Sequence, residues 1–148
     1  GHVVVDRAGP PCACGTRGCA EATGSASGLI RRFHEAGGSP TITAAKEIFD
    51  LAKEGKEPAV AVVEQALDTW AVLISGICHI VNPACVVIGG GVSSAGPWMW
   101  EKLREYLSRY HGMGAAAGVN IVPAQLGDNA NLLGAARIVF DTCFQSPH

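Results

Sequence analysis

Three cysteines lie close together near the start of the sequence, in the segment CACGTRGC. Cys12, Cys14 and Cys19 fall within eight residues of one another. Gly15 and Gly18 between them allow the backbone to turn tightly enough for the three sulfurs to converge. Three thiolates and one imidazole form a tetrahedral ligand set for Zn²⁺, and four protein ligands leave no open position for catalysis. The spacing therefore predicts a structural zinc site.

His2 is the predicted fourth ligand. A strand that starts at His2, followed by a turn at the sequence GPP, would return the chain to this imidazole. The alternatives are a reduced loop without metal and a disulfide between Cys12 and Cys19. The other histidines are poorer candidates for the fourth ligand, and they are His34, His79, His111 and His148. The remaining cysteines are expected to be small buried apolar residues outside the cluster, and they are Cys78, Cys85 and Cys143.

The composition indicates one folded domain. The chain has 148 residues, of which 48% are hydrophobic and 16% are charged, and this balance excludes intrinsic disorder. A formal charge of −2 argues against a surface that binds nucleic acid. The longest apolar run, at 70–81, is shorter than the ~18 residues of a membrane span. No secretory signal opens the sequence, so we expect a cytoplasmic protein without membrane contacts.

Hydrophobic periodicity predicts alternating strands and helices, which is typical of an α/β fold. Thr43 is the predicted N-cap of the second helix and Gly55 its C′ residue, Asn82-Pro83 ends the long central helix, and Asp128 caps the last helix. The short strand after the long helix is expected to be buried on both faces because it is apolar throughout. The predicted strands are 2–6, 85–88 and 119–123, and the predicted helices are 21–35, 43–54, 58–81, 98–110 and 130–144.

Several segments together resemble the ROK family of sugar kinases and repressors. The dipeptide Gly1-His2, followed by CACGTRGCAE, is similar to the family signature CxCGxxGCxE after GH. The later segments NP, VVIGGGVS and LGDNANLLGAA also resemble the family. The resemblance covers nearly the whole chain, and the cysteine motif is its most specific part.

The resemblance implies a fold and a domain organisation. The expected fold is the second lobe of an actin-like ATPase (ribonuclease H-like) fold with a Cys₃His zinc loop. Residues 1–148 would form a single C-terminal lobe, with the N-terminal lobe, its catalytic aspartate and its phosphate loop absent. The chain alone is therefore expected to have no kinase activity. The segments of the lobe are the zinc loop 2–21, the helical region 21–81, the strand, glycine turn and helix 85–111, and the last strand and helix 119–144.

The resemblance also implies roles for individual residues. His2 would contact the sugar as well as the zinc ion, and Glu21 would accept hydrogen bonds from sugar hydroxyls. Without the motif, Glu21 reads equally well as a first-turn carboxylate favoured by the helix dipole. Gly89, Gly90 and Gly91 would lie near the adenosine of ATP, or would form an ordinary tight turn.

The function implied by the resemblance is phosphoryl transfer from ATP, with magnesium, to a hexose or N-acetylhexosamine. One alternative is the sugar-sensing lobe of a ROK repressor, which would add nucleic acid as a partner. Another is a stand-alone interaction module stabilised by zinc. A homodimer is expected, and the last helix is expected to expose an apolar patch or to bury it against another chain. The patch residues are Leu132, Leu133, Ala136, Val139 and Phe140.

Overall fold

A computed structural model describes residues 1–91, 95–110 and 118–144, without the side chain of Asp128. The predicted cap Asp128 and the histidines His111 and His148 therefore lie outside what is described. Six α-helices and two strands are present over these residues. They are α1 (Ala20–Gly24), α2 (Ala26–Glu35), α3 (Ala45–Lys53), α4 (Ala59–Val81), β1 (Cys85–Ile88), α5 (Pro97–Ser108), β2 (Asn120–Pro123) and α6 (Ala130–Phe144).

Helix α4 is the centre of the hydrophobic core. Its apolar residues recur every three or four positions, and α1, α2, α3 and α5 all pack on it. Val63 and Leu67 are about 1% exposed. The helix ends at Asn82, which adopts the left-handed conformation at φ 47° before Pro83. By length and composition α4 is long enough to cross a membrane, but the helices packed around it make it the core helix of this lobe.

Strands β1 and β2 form a parallel pair connected through α5. Cys85 pairs with Asn120 and Ile88 with Pro123. The expectation that β1 is buried on both faces is wrong, because Val87 is 63% exposed and Cys85 is exposed as well. Among the described residues, helices cover one face of this sheet and no layer covers the other.

The predicted helix 21–35 is two helices. Ser25 has an extended backbone, with φ −73° and ψ 162°, and it separates α1 from α2. The N–H of Gly28 donates to the Ser25 hydroxyl oxygen at 3.0 Å, so Ser25 is the N-cap of α2. At Gly28 an added Cβ would lie 2.8 Å from the carbonyl oxygen of Ala22. Glycine there lets the two helices meet at a sharp corner.

The start of α3 also differs from the prediction. Ala44, not Thr43, is the N-cap, and its N–H donates to the Glu47 carboxylate at 3.2 Å. The Glu47 carboxylate thus satisfies one of the free backbone N–H groups at the start of α3, where a capping threonine hydroxyl was predicted. The predicted C′ residue is confirmed, because Gly55 has φ 75°.

Helix α6 has no buried residue over its described length, and its expected apolar patch is exposed in the structure. Leu132 is 71% and Phe140 58% exposed. A 3₁₀ turn at Gly127–Asn129 precedes the helix. Of the three cysteines expected to be buried, Cys78 is buried, whereas the structure exposes both Cys85 and Cys143.

Removal of a core side chain from α4 should destabilise the fold. We expect Leu67→Ala to reduce the free energy of unfolding by about 2–5 kcal/mol, because the substitution leaves a cavity in a closely packed core. Gln65→Ala, at an exposed position of the same helix, should change it by less than about 0.5 kcal/mol. Equilibrium urea denaturation measures both, and equal losses would contradict the assignment of α4 as the core helix.

Candidate metal centre

The first residues of the chain pair with the segment that carries the third cysteine. The Glu21 N–H donates to the Gly1 carbonyl and the Ala20 N–H to the Val3 carbonyl, both at 2.9 Å. The predicted strand 2–6 is not formed; a single antiparallel bridge joins Val4 to Cys19 in its place. This pairing places His2 beside the cysteine loop.

The loop between the first and third cysteines folds back on itself. The Cys12 N–H donates to the Thr16 carbonyl at 2.8 Å, and the Gly18 N–H donates to the Pro10 carbonyl at 2.8 Å. Gly18 has φ 70°, and an added Cβ would overlap the backbone carbonyl of Asp6. Glycine is therefore required at this position for both conformation and space.

The predicted ligands converge on one point. One ligand atom each from His2, Cys12, Cys14 and Cys19 lies within 4.8 Å of all the others. The sulfurs of Cys14 and Cys19 are 3.6 Å apart, and Cys12 Sγ is 3.6 Å from His2 Nδ1. A tetrahedral zinc site has edges of about 3.8 Å between sulfurs and about 3.6 Å between sulfur and nitrogen. All six thiols are free in the structure, and the four donors fit a zinc ion.

Sequence reasoning overlooked a hydroxyl next to two of the sulfurs. Thr16 Oγ1 is 3.2 Å from Cys14 Sγ and 3.1 Å from Cys19 Sγ. Hydrogen bonds from the Thr16 hydroxyl and backbone N–H stabilise the thiolate and lower the pKa of Cys14 to about 6. At Cys12, a hydrogen bond from the backbone N–H of Cys14 lowers the pKa of the thiol. Burial and the neighbouring thiols outweigh this effect, so the pKa of Cys12 is raised overall. Thiolates are the form in which cysteines bind metals, so this environment suits Cys14 to a metal site.

The imidazole of His2 faces two groups at once. Its Nδ1 points to Cys12, and its Nε2 lies 3.6 Å from Glu21 Oε2. The second distance is longer than a direct hydrogen bond. With Nδ1 on a metal, Nε2 carries the proton, so a donor and a carboxylate acceptor stand side by side. Both side chains are at least half exposed, at 58% and 50%. A hydroxyl oxygen about 2.8 Å from each atom can sit beside both.

The glycines after β1 are not part of the metal centre. Gly89 borders an open apolar cavity of about 300 Å³, together with Gly24, Ser25 and Trp70. Gly90 has φ 86°, a conformation that favours glycine. The cavity meets the C-terminal end of α1, whereas Glu21 lies in its first turn. The two groups of predicted site residues therefore lie at opposite ends of one short helix.

The other described histidines have partners of their own. His34 Nε2 is 2.8 Å from the Ile42 carbonyl oxygen, and His79 Nδ1 is 2.8 Å from the Ser75 carbonyl oxygen. Among the described histidines, His2 alone lies with the cysteines.

Comparison with known proteins agrees with this geometry. The sequence model of the ROK family matches residues 1–142. The glucokinase of Thermotoga maritima is 40% identical over 94% of this chain and 48% of its own length. An N-acetylmannosamine kinase of Escherichia coli is 35% identical over 93% of this chain and 45% of its own length. The chain thus spans about half the length of the relatives it matches.

Solved structures share the fold. The ROK hexokinase of Thermus thermophilus superimposes with a TM-score of 0.79 and 34% identity, over 93% of this chain and 46% of that one. A ROK family transcriptional regulator, a homologue of the Escherichia coli MLC protein, superimposes with a TM-score of 0.72. At 23% identity over 93% of this chain and 37% of its own, it supports the fold alone. The mixed helix and strand architecture is that of ROK sugar kinases, and the chain belongs to the ROK family.

Proposed function

We propose that this chain is the sugar-binding, zinc-containing lobe of an ATP-dependent hexose kinase. The observation that carries the proposal is the placement of His2 between the cysteine cluster and Glu21. A sugar hydroxyl both donates and accepts hydrogen bonds. The Nε2–H of His2 would donate a hydrogen bond to such a hydroxyl, and the Glu21 carboxylate would accept a hydrogen bond from it.

Zinc in this proposal has a structural role. Bound by His2, Cys12, Cys14 and Cys19, it would hold the loop closed and keep the proton of His2 on Nε2. The backbone hydrogen bond between Gly1 and Glu21 would keep the His2 imidazole and the Glu21 carboxylate on the same side of the loop. Neither side chain is deeply buried, as a binding surface for a polar ligand requires.

The nucleotide is proposed to bind at the other end of α1. Two features support this: the cavity beside Gly89 is open and apolar, and glycines after a strand allow a ligand to approach the backbone closely. ATP with magnesium is the proposed co-substrate of the complete kinase. Because the chain spans about half the length of its relatives, we expect the 148 residues alone to bind sugar without transferring phosphate. A cytoplasmic homodimer remains a prediction.

The second candidate is the sugar-sensing lobe of a ROK repressor. It rests on the fold shared with the transcriptional regulator. The identity to kinases is higher, at 40% and 35%, and this favours the kinase. Phosphorylation of glucose by ATP, assayed on the complete gene product, separates the two. A zinc-stabilised interaction module without sugar affinity is the third possibility, and hexose binding by the chain would exclude it.

Metal analysis tests the centre directly. We expect one zinc ion per chain, because the four donor atoms are spaced as the edges of a tetrahedral site. Inductively coupled plasma mass spectrometry on protein never exposed to a chelator measures this ratio. A stoichiometry near zero would refute the site.

Loss of one thiolate should weaken the loop. We expect Cys14→Ser to lower the free energy of unfolding by at least about 2 kcal/mol, or Tm by about 4–8 °C, because an incomplete ligand set no longer secures the metal. Cys143→Ser, at an exposed cysteine on α6, is the matched control and should melt like the unsubstituted protein. Identical melting curves for the two variants would show that the cluster adds nothing to stability.

The Glu21 carboxylate should contribute to sugar affinity without affecting the metal. We expect Glu21→Gln to weaken glucose binding by about 10- to 150-fold, the worth of a hydrogen bond to a charged group, with zinc content unchanged. Glu101→Gln, at an exposed carboxylate on α5, should bind glucose normally. Isothermal titration calorimetry on the complete gene product measures both. Equal affinity for Glu21→Gln and the unsubstituted protein would remove Glu21 from the sugar site.

A further inference from the structure

One side chain of the core helix contacts the segment that carries Glu21. The indole N–H of Trp70, in the middle of α4, donates to the carbonyl oxygen of Gly24 at 3.1 Å. Gly24 is the last residue of α1 and lies directly against the indole, where an added Cβ would overlap the ring. Residues 24 and 70 are far apart in sequence, so this contact exists only in the folded lobe.

The position of helix α1 depends on contacts with other segments of the chain. The helix has five residues, and its N-cap Cys19 makes no side-chain capping bond. Helices this short are unstable in isolation, so their placement depends on tertiary contacts. At its start α1 is tied to the first residues by the Glu21 N–H. At its end, Arg31 Nη2 donates to the Ala22 carbonyl at 2.8 Å and Trp70 donates to Gly24.

Trp70 is itself well held. Its ring stacks on Phe49 of α3, with centroids 6.2 Å apart and an interplanar angle of 27°. Phe49 is 1% exposed and belongs to the main core. A rigid chain of contacts therefore runs from the core through the indole to the end of α1. Glu21 lies three residues before Gly24, one turn of helix away.

From this geometry we infer that Trp70 is a positioning residue for the sugar site: its indole N–H anchors α1 and so sets where the Glu21 carboxylate stands relative to His2 Nε2. The sugar part of this inference rests on the proposed function. Trp70 hydrogen-bonds to Gly24 and stacks on Phe49, and neither of these residues is proposed to contact the sugar, so Trp70 acts through α1. The 3.6 Å gap between imidazole and carboxylate accommodates a shared hydroxyl only while α1 keeps its place.

The test compares Trp70→Phe with a matched substitution in the complete gene product. Phenylalanine keeps an aromatic ring against Phe49 but removes the N–H donor. Trp98→Phe is the control, because Trp98 is another half-buried tryptophan and borders a separate groove with Ala52 and Lys102. Gly24→Ala, whose methyl group would overlap the indole, disturbs the same contact from the other side and is a second variant, and it should speed exchange in residues 19–25 as well.

We expect Trp70→Phe to raise the Kd for glucose about 2- to 12-fold, the worth of one neutral hydrogen bond, with zinc content unchanged. Amide hydrogen exchange in residues 19–25 should become faster, while exchange in α3 and α5 stays the same. Trp98→Phe should match the unsubstituted protein in each measurement. A general loss of stability would instead speed exchange in α3 and α5 as well as in residues 19–25.

Two results would overturn the inference: an unchanged glucose Kd in Trp70→Phe, or an equal loss in Trp98→Phe. If the unsubstituted protein binds no glucose, the proposed function fails, and hydrogen exchange alone then decides the role of Trp70. Faster exchange confined to residues 19–25 would uphold Trp70 as the anchor of α1. Unchanged exchange would reject it.

Discussion

The convergence of one imidazole and three sulfurs is the constraint on which the site depends. These atoms come from two stretches of chain, and they lie within 4.8 Å of one another. The stretches meet because the backbone of residues 1–5 pairs with that of residues 18–21. Glycine at position 18 is required for the approach, since Asp6 leaves no space for a Cβ. A metal at this point would convert an exposed loop into a fixed surface, because zinc binding and local folding are one free-energy change.

Helix α1 connects the two chemical regions of the lobe. Cys19 and Glu21 lie at its start, and Gly24 borders the apolar cavity at its end. Because the helix has only five residues, a displacement at one end moves the other. The tertiary contacts of α1 therefore matter more to the site than any helix propensity, and Trp70, which supplies one of them, packs against the main core.

The described structure leaves much apolar surface uncovered. Ile80 at the end of α4 is 85% exposed, Val87 on β1 is 63% exposed, and Leu132 on α6 is 71% exposed. Exposed apolar surface of this extent is typical of a region that another element or chain covers. The prediction of a strand buried on both faces failed for the same reason: an apolar sequence indicates what a strand can bury, but the neighbours present decide what it does bury.

Local patterns were enough to identify the four side chains that converge as candidate metal ligands, the mixed helix and strand class and the bounds of β1 and α6. A ligand motif, a period of 3.6 and a β-branched run each reflect chemistry within a few residues of the chain. The break at Ser25, the hydroxyl of Thr16 beside two sulfurs and the contact between Trp70 and Gly24 were decided only by the tertiary structure. These features arise where segments that are distant in sequence, or that follow a turn of unpredictable direction, come into contact. The periodicity of a sequence carries no information about such tertiary contacts. The amino-acid order thus determined which groups are available for chemistry, whereas packing decided how they face one another.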